Sequence, residues 1–184
     1  MIRIVGGEFK GRKLKKVPSA QVRPISHRLK ETLFNVLHDH LVDLVVLDGF
    51  AGTGSLGLEA LSRGAAEVIF VDELPLATKI IKENVAKCEV ENRVRILTKE
   101  FNRAIIQLAK EGKKFDLVFL DPPYSLLEER NPLKVLKKRE VISPGGKIIL
   151  RQHRRINFEP KYYSPQRVVV EGDDKLVFYE EEGA

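Results

Sequence analysis

At 184 residues, with 43% hydrophobic and 32% charged side chains, the chain can bury one full-sized core and is not a disordered tail. Apolar runs such as Leu44 to Leu47 and Leu117 to Leu120 are strand-sized, and the first segment is basic with no apolar run behind it, so neither a membrane span nor a signal peptide is read. The net charge of +6 is concentrated at the front: residues 1–30 hold nine Lys or Arg against the single acid Glu8, which points to a polyanionic partner. The lone Cys88 can form no intrachain disulfide and has no companion set for zinc; a cytoplasmic protein without a metal site is expected.

In chain order, residues 1 to 18 read as two short basic strands, Ile2 to Val5 and Arg12 to Val17, joined by a turn region running from Gly6-Gly7 to Gly11. From Ser26, a candidate N-cap after Pro24, the pattern turns helical, with Leu29, Leu33, Val36 and Leu37 on one stripe. Strands and helices then alternate: Leu44 to Leu47, a helix from Ser55 to Arg63, Val68 to Val71, a helix from Pro75 to Cys88, Val94 to Leu97, a helix from Asn102 to Glu111, and Phe115 to Leu120. A helix from Pro132 to about Glu140, a Pro144-Gly145-Gly146 turn and the strand Lys147 to Leu150 continue the series. Arg167 to Val170 and Leu176 to Tyr179, separated by residues 171–174, read as an antiparallel hairpin. The spacing therefore predicts an α/β, doubly wound, Rossmann-like sheet, mostly parallel with an antiparallel C-terminal edge hairpin, plus a basic N-terminal β-hairpin.

The first central strand ends in Asp48-Gly49-Phe50-Ala51-Gly52-Thr53-Gly54, and a helix follows at once. Glycines there let a ligand approach the backbone at the carboxyl edge of the sheet, and Asp72, closing the next strand, can accept hydrogen bonds from ribose hydroxyls. A nicotinamide dinucleotide and S-adenosylmethionine both fit this much. A carboxylate at Asp48 repels a pyrophosphate and favours the ammonium and sulfonium of the methyl donor, which is the better match. The strand Phe115 to Leu120 delivers Asp121-Pro122-Pro123-Tyr124 to the same edge. Two prolines stiffen the loop and leave carbonyl acceptors beside a carboxylate and an aromatic ring, a combination suited to a planar heteroaromatic amine: Asp121 and the Pro122 carbonyl hold its N–H bonds and Tyr124 stacks on its ring.

D-x-F-A-G-T-G followed by D-P-P-Y resembles the class I S-adenosylmethionine-dependent amino-methyltransferases of nucleic acids. The blocks I-V-G-G-E-F-K-G-R-K-L at Ile4 to Leu14 and R-P-I-S-H-R-L-K-E-T-L-F-N-V-L at Arg23 to Leu37 resemble, more narrowly, the bacterial 16S ribosomal RNA guanine-N2 methyltransferases of the RsmD type, and the likeness runs collinearly over essentially the whole chain. The resemblance implies methylation of one guanine in small-subunit RNA, free or in the ribosomal particle. It implies a cofactor site of Asp48, Phe50, Ala51, Gly52, Thr53, Gly54 and Asp72, with Glu100 and Phe101 near the adenine, where the family usually has Asn or Asp followed by Ala. It also implies an amine site of Asp121, Pro122, Pro123 and Tyr124. RNA contacts are expected from Arg3, Lys10, Arg12, Lys13, Arg23 and Arg28, with the cofactor carboxylate or Glu31 as alternative partners of Arg23 and Arg28; residues 1–22 are read as a docking extension and 23–184 as the methyltransferase domain. Arg151, His153, Arg154 and Arg155 follow the fifth strand and are read as lining the RNA face or as a solvated loop. A monomer is expected.

Three rivals predict other features. An adenine-N6 methyltransferase acting on DNA or RNA uses D-P-P-Y equally well, but the chain has no evident target-recognition domain. A nicotinamide-dependent oxidoreductase leaves D-P-P-Y without a role. A non-enzymatic ribosome-assembly factor has no need of an intact Asp121 and glycine loop.

Overall fold

The computed structural model describes residues 1–183. Five parallel strands, β3 (Val45–Gly49), β4 (Glu67–Asp72), β5 (Val94–Thr98), β6 (Phe115–Leu120) and β7 (Ile142–His153), are rich in branched and aromatic residues, as strands covered on both faces must be. The hairpin β8 (Arg167–Glu171) and β9 (Asp174–Glu180) completes a seven-stranded sheet in the order β5-β4-β3-β6-β7-β9-β8, with β9 antiparallel to both neighbours. Glu171 pairs with Asp174, so the turn is only Gly172-Asp173, and Gly172 takes the positive φ (+59°) that a tight hairpin turn wants at its first position.

Alternate residues of the sheet face two cores. Val46, Val68, Phe70, Leu117, Phe119 and Ile149 pack with α1 (His27–Leu37), α2 (Ser55–Ser62) and Ile81 and Val85 of α3 (Pro75–Cys88). Leu47, Ile69, Val71, Val118, Ile148 and Leu150 pack with α4 (Phe101–Lys110) and α6 (Pro132–Arg139) on the other side. A short helix, α5 (Leu126–Arg130), follows the D-P-P-Y segment; the expected element series had no helix there. On α1, Ser26 caps as expected, its Oγ accepting from Leu29 N at 3.1 Å. The stripe differs by one position: Phe34 is fully buried, while Val36 packs from the partly exposed margin.

Pro144-Gly145-Gly146 is not a turn before a short strand. It is a bulge inside β7, where the register jumps from Phe115–Ile142 to Leu117–Lys147 and Gly145 sits at φ +75°. Its backbone is kept in the sheet by Gly145 N–H donating to Glu181 O and Glu181 N–H donating to Gly146 O. The strand runs on to His153, so Arg151 belongs to the sheet and is buried rather than looped out.

The N-terminal hairpin, β1 (Ile2–Arg3) and β2 (Lys13–Leu14), is shorter than the sequence suggests, with only the pairs Ile2–Leu14 and Arg3–Lys13. The reason lies in α2. Glu59 Oε2 accepts from Val5 N (2.9 Å) and Glu59 Oε1 from Gly6 N (2.8 Å), which turns the backbone away from strand pairing. Gly7, at φ +76°, lies where any Cβ would sit 2.0 Å from Ser62 O, so the glycine is what allows this close seat on the end of α2. Ile2, Ile4, Phe9 and Leu14 join the same core as α1 and α2. Lys30 is buried with them; its Nζ lies 3.3 Å from Glu59 Oε2 and donates to Ser55 Oγ (3.0 Å) and to Arg3 O. Arg63 adds a third charge, its Nε donating to Glu59 Oε1 at 3.1 Å.

Candidate active site

The chain leaves β3 toward β4 on one side and later leaves β6 toward β7 on the other, so the sheet reverses direction between β3 and β6 and opens a crevice at their carboxyl ends. A cavity of about 610 Å³ occupies that crevice, of the size small-molecule sites have. It is lined on one side by Asp48, the glycine loop, Asp72, Glu100 and Phe101, and on the other by Asp121, Pro122, Pro123 and Tyr124; the segment Gln21 to Ile25 forms a further wall.

On the first side, loop geometry is set by backbone donors ending on carboxylates. Asp48 Oδ2 accepts from Gly57 N in the first turn of α2 at 2.9 Å, and Asp72 accepts from Gly52 N and Leu74 N, each at 2.9 Å. Phe50, Gly52 and Gly54 all take positive φ (57°, 58° and 81°), which folds the loop tightly under the cavity. Phe50 stacks on Phe101, with ring centroids 4.9 Å apart, and Gly49 is required beneath them because a Cβ there would meet Phe101 Cε2 at 2.6 Å. Burial pushes the carboxyl of Asp48 well up, with Asp121 and Asp72 adding to the rise, and burial also raises Asp72.

Among the described residues Asp48 has no ion-pair partner, so a cationic group on a bound ligand would offset the burial that raises its carboxyl and favour its ionised form. A ligand with a cationic group beside a ribose fits these residues better than one with a pyrophosphate. Glu100 is less free than the sequence suggests: it caps α4 by accepting from Arg103 N at 3.0 Å and lies 3.7 Å from Arg130.

The second side is built from residues far apart in sequence. Asp121 Oδ2 accepts from Arg151 Nη1 at 2.8 Å, while Arg151 Nη2 reaches Asp174 Oδ2 at 3.3 Å. Arg23 donates to Asp174 Oδ1 and to the Tyr124 hydroxyl, both at 2.5 Å, and its own carbonyl accepts from Arg151 Nη1 at 3.2 Å. Tyr124 stands 39% exposed at the mouth, edge-on to His153 at 6.0 Å. Burial raises Asp121, with Arg151 and Arg23 opposing the rise.

Of the expected RNA-contacting residues, Arg3, Lys10 and Lys13 project from the hairpin as exposed cations, and Arg12 lies over the Phe9 ring with Nη1 donating to Lys87 O at 2.9 Å. Arg23 stands apart from that hairpin at the cavity mouth, and Arg28 pairs with Glu171 at the far edge hairpin. Sequence reading missed Asp174 and treated Arg151 as a loop residue. The signal was present in the run Ile148-Ile149-Leu150-Arg151, which puts a cation at the carboxyl end of a central strand beside β6. No group of three or more His, Cys, Asp or Glu side chains able to hold a metal occurs among the described residues, and no helix there is long and apolar enough to cross a membrane.

Residues 2–180 match the family model described as Conserved hypothetical protein 95. A Bacillus subtilis protein named as an rRNA methyltransferase is 33% identical over 155 residues, 84% of each chain. The Escherichia coli ribosomal RNA small subunit methyltransferase D is 42% identical over 130 residues, 70% of this chain and 64% of that protein. A solved Escherichia coli structure described as a methyltransferase superposes with a TM-score of 0.83 at 31% identity, covering 100% of this chain and 99% of the other.

Proposed function

We propose that this chain, which belongs to the RsmD-type family of class I S-adenosylmethionine-dependent methyltransferases, methylates the exocyclic N2 amine of one guanine in small-subunit ribosomal RNA. The observation that carries the reading is the placement of Asp121-Pro122 directly across one cavity from the glycine loop, both at the switch point of the sheet. Bound S-adenosylmethionine supplies an electrophilic methyl group. On the cofactor side Asp72 holds the ribose hydroxyls on lone pairs not used by Gly52 and Leu74, and Asp48 faces the cationic end. The loop Phe50 to Gly54 and the Phe50–Phe101 stack shape the pocket, and the Glu100-Phe101 corner would hold the adenine.

A guanine amine is a poor nucleophile because its lone pair is delocalised into the ring. Asp121 and the Pro122 carbonyl accept its N–H bonds, turn the lone pair toward the cofactor side and stabilise positive charge developing on nitrogen. Tyr124 provides the surface on which the base stacks. The basic hairpin of residues 1–22, through Arg3, Lys10, Arg12 and Lys13, meets RNA phosphates, with Arg23 at the cavity mouth and Arg28 beside the edge hairpin as further contacts; residues 23–184 carry the chemistry.

The test is methyl transfer from labelled S-adenosylmethionine to free small-subunit RNA and to the ribosomal particle, followed by nucleoside analysis. N2-methylguanosine is the expected product. N6-methyladenosine makes the protein an adenine methyltransferase, and absence of transfer to either substrate overturns the reading.

A further inference from the structure

Arg151 is an expensive residue to keep where it is. Only 4% of its side chain is exposed, it is shared between two carboxylates, and its Nε–H is buried without a hydrogen-bond partner. A buried guanidinium with an unspent donor is a poor device for stability, since well-packed apolar residues commonly serve as well. Its place at the carboxyl end of β7, in contact with the carboxylate that lines the cavity, suggests a task in the site instead.

We propose that Arg151 is the positioning residue of the amine site, gripping Asp121 by Oδ2 so that Oδ1 is left for the target N–H, and that Asp174 in turn aims Arg151. The inference rests on the reading of Asp121 as the amine-binding carboxylate. Asp121 Oδ1 accepts no hydrogen bond from the described residues, whereas Oδ2 is fixed at 2.8 Å. Arg151 Nη1 also donates to Arg23 O, which anchors the guanidinium plane at a second point. The charges facing Asp121 come from every neighbouring element: Arg151 on β7, Arg23 from the wall segment, Asp174 at the start of β9 and Asp48 at the end of β3, with Tyr124 and His153 beside them.

These charges give the test a sign. Arg151 holds the Asp121 carboxyl down against burial, and Asp174 pushes it up. In the free protein, carboxyl NMR of Asp121 in Arg151→Met should show its titration moved to higher pH, because the guanidinium that holds the carboxyl down is gone. In Asp174→Asn it should move to lower pH, a response opposite in direction that loss of packing does not produce. With RNA substrate, Arg151→Met should lower kcat roughly 10- to 100-fold, because a misaimed acceptor loses orientation. KM and cofactor affinity should stay within a few-fold, the acidic limb of the pH profile should follow the NMR titration, and Arg151→Lys should recover most of the loss.

Titrations that stay put in both folded variants, or move the same way, overturn the proposal. Asp174→Asn, at an edge turn, carries the test if Arg151→Met does not fold. Opposite shifts in the two variants, with a wild type that transfers no methyl to RNA, uphold the grip on Asp121 and overturn the function; an active wild type with titrations unmoved in the variants overturns the grip alone.

Discussion

On the cofactor side of the cavity, each carboxylate is tied to backbone nearby in sequence: Asp48 to Gly57, nine residues on, and Asp72 to Gly52, twenty residues back. On the side proposed for the amine, Asp121 is tied to a guanidinium thirty residues away, which is shared with Asp174 and leans on the backbone of Arg23. The first half needs the turn between β3 and α2, the end of β4 and the start of α4 to be correct, all on one side of the switch point. The second needs the wall segment, β6, β7 and the edge hairpin to meet, so its geometry depends on the whole sheet. A local loop is therefore expected to tolerate changes elsewhere in the fold, whereas the charge cluster should respond to any change at the C-terminal edge.

Substituting one carboxylate on each side should separate the two halves. Asp121→Ala should reduce turnover by two or more orders of magnitude, about 3 kcal/mol in the transition state, while cofactor affinity measured by calorimetry stays within a few-fold. Asp72→Ala should do the reverse, weakening cofactor binding by about 1.5 to 3 kcal/mol, the worth of hydrogen bonds to a charged group, with a smaller effect on saturated turnover. Equal losses of both kinds in both variants would show that the cavity works as one unit and dissolve the distinction.

The hairpin offers a third contrast. Reversing the charges of Arg3, Lys10 and Lys13 should weaken RNA binding and lower the slope of log affinity against log salt by roughly 0.7 to 0.9 for each phosphate no longer neutralised, with cofactor binding retained. An unchanged slope would make these cations solvated surface and direct attention to Arg154 and Arg155. The mildest change is Tyr124→Phe: if the ring acts by stacking, kcat should fall only a few-fold, the residual loss reflecting the hydroxyl's hydrogen bond with Arg23. A severe loss would assign the hydroxyl a direct part in the site.

The same division explains what the residues disclose on their own. The glycine loop, Asp72 at a strand end and D-P-P-Y announce themselves because their chemistry depends on neighbours within one strand-turn-helix unit. The parallel order of β3 to β7 follows from alternation of apolar runs and helices. Arg151 was hidden because charge at a strand end looks like the start of a loop, and only the antiparallel pairing of β7 with β9, Arg151 opposite Leu176, extends the strand past it. Asp174 was read as part of a four-residue turn; its pairing with Glu171 puts it at the first position of β9. Lys30 and Glu59 are both buried, and neither helix pattern shows that a third element will cover them.

That covering element, the front of the chain, supplies two N–H donors to Glu59 and a carbonyl to Lys30, and Lys30 in turn holds Ser55, the first residue after the glycine loop. A shortened chain beginning after Gly6 would strip Glu59 of two of its four partners and Lys30 of one of its three, and would open both charges to solvent; each hydrogen bond lost to a charged group costs about 1.5 to 3 kcal/mol. The opening residues, the first helix and the second helix therefore share one buried polar knot, so a change at Glu59 is felt both at the front of the chain and at the residue that follows the glycine loop.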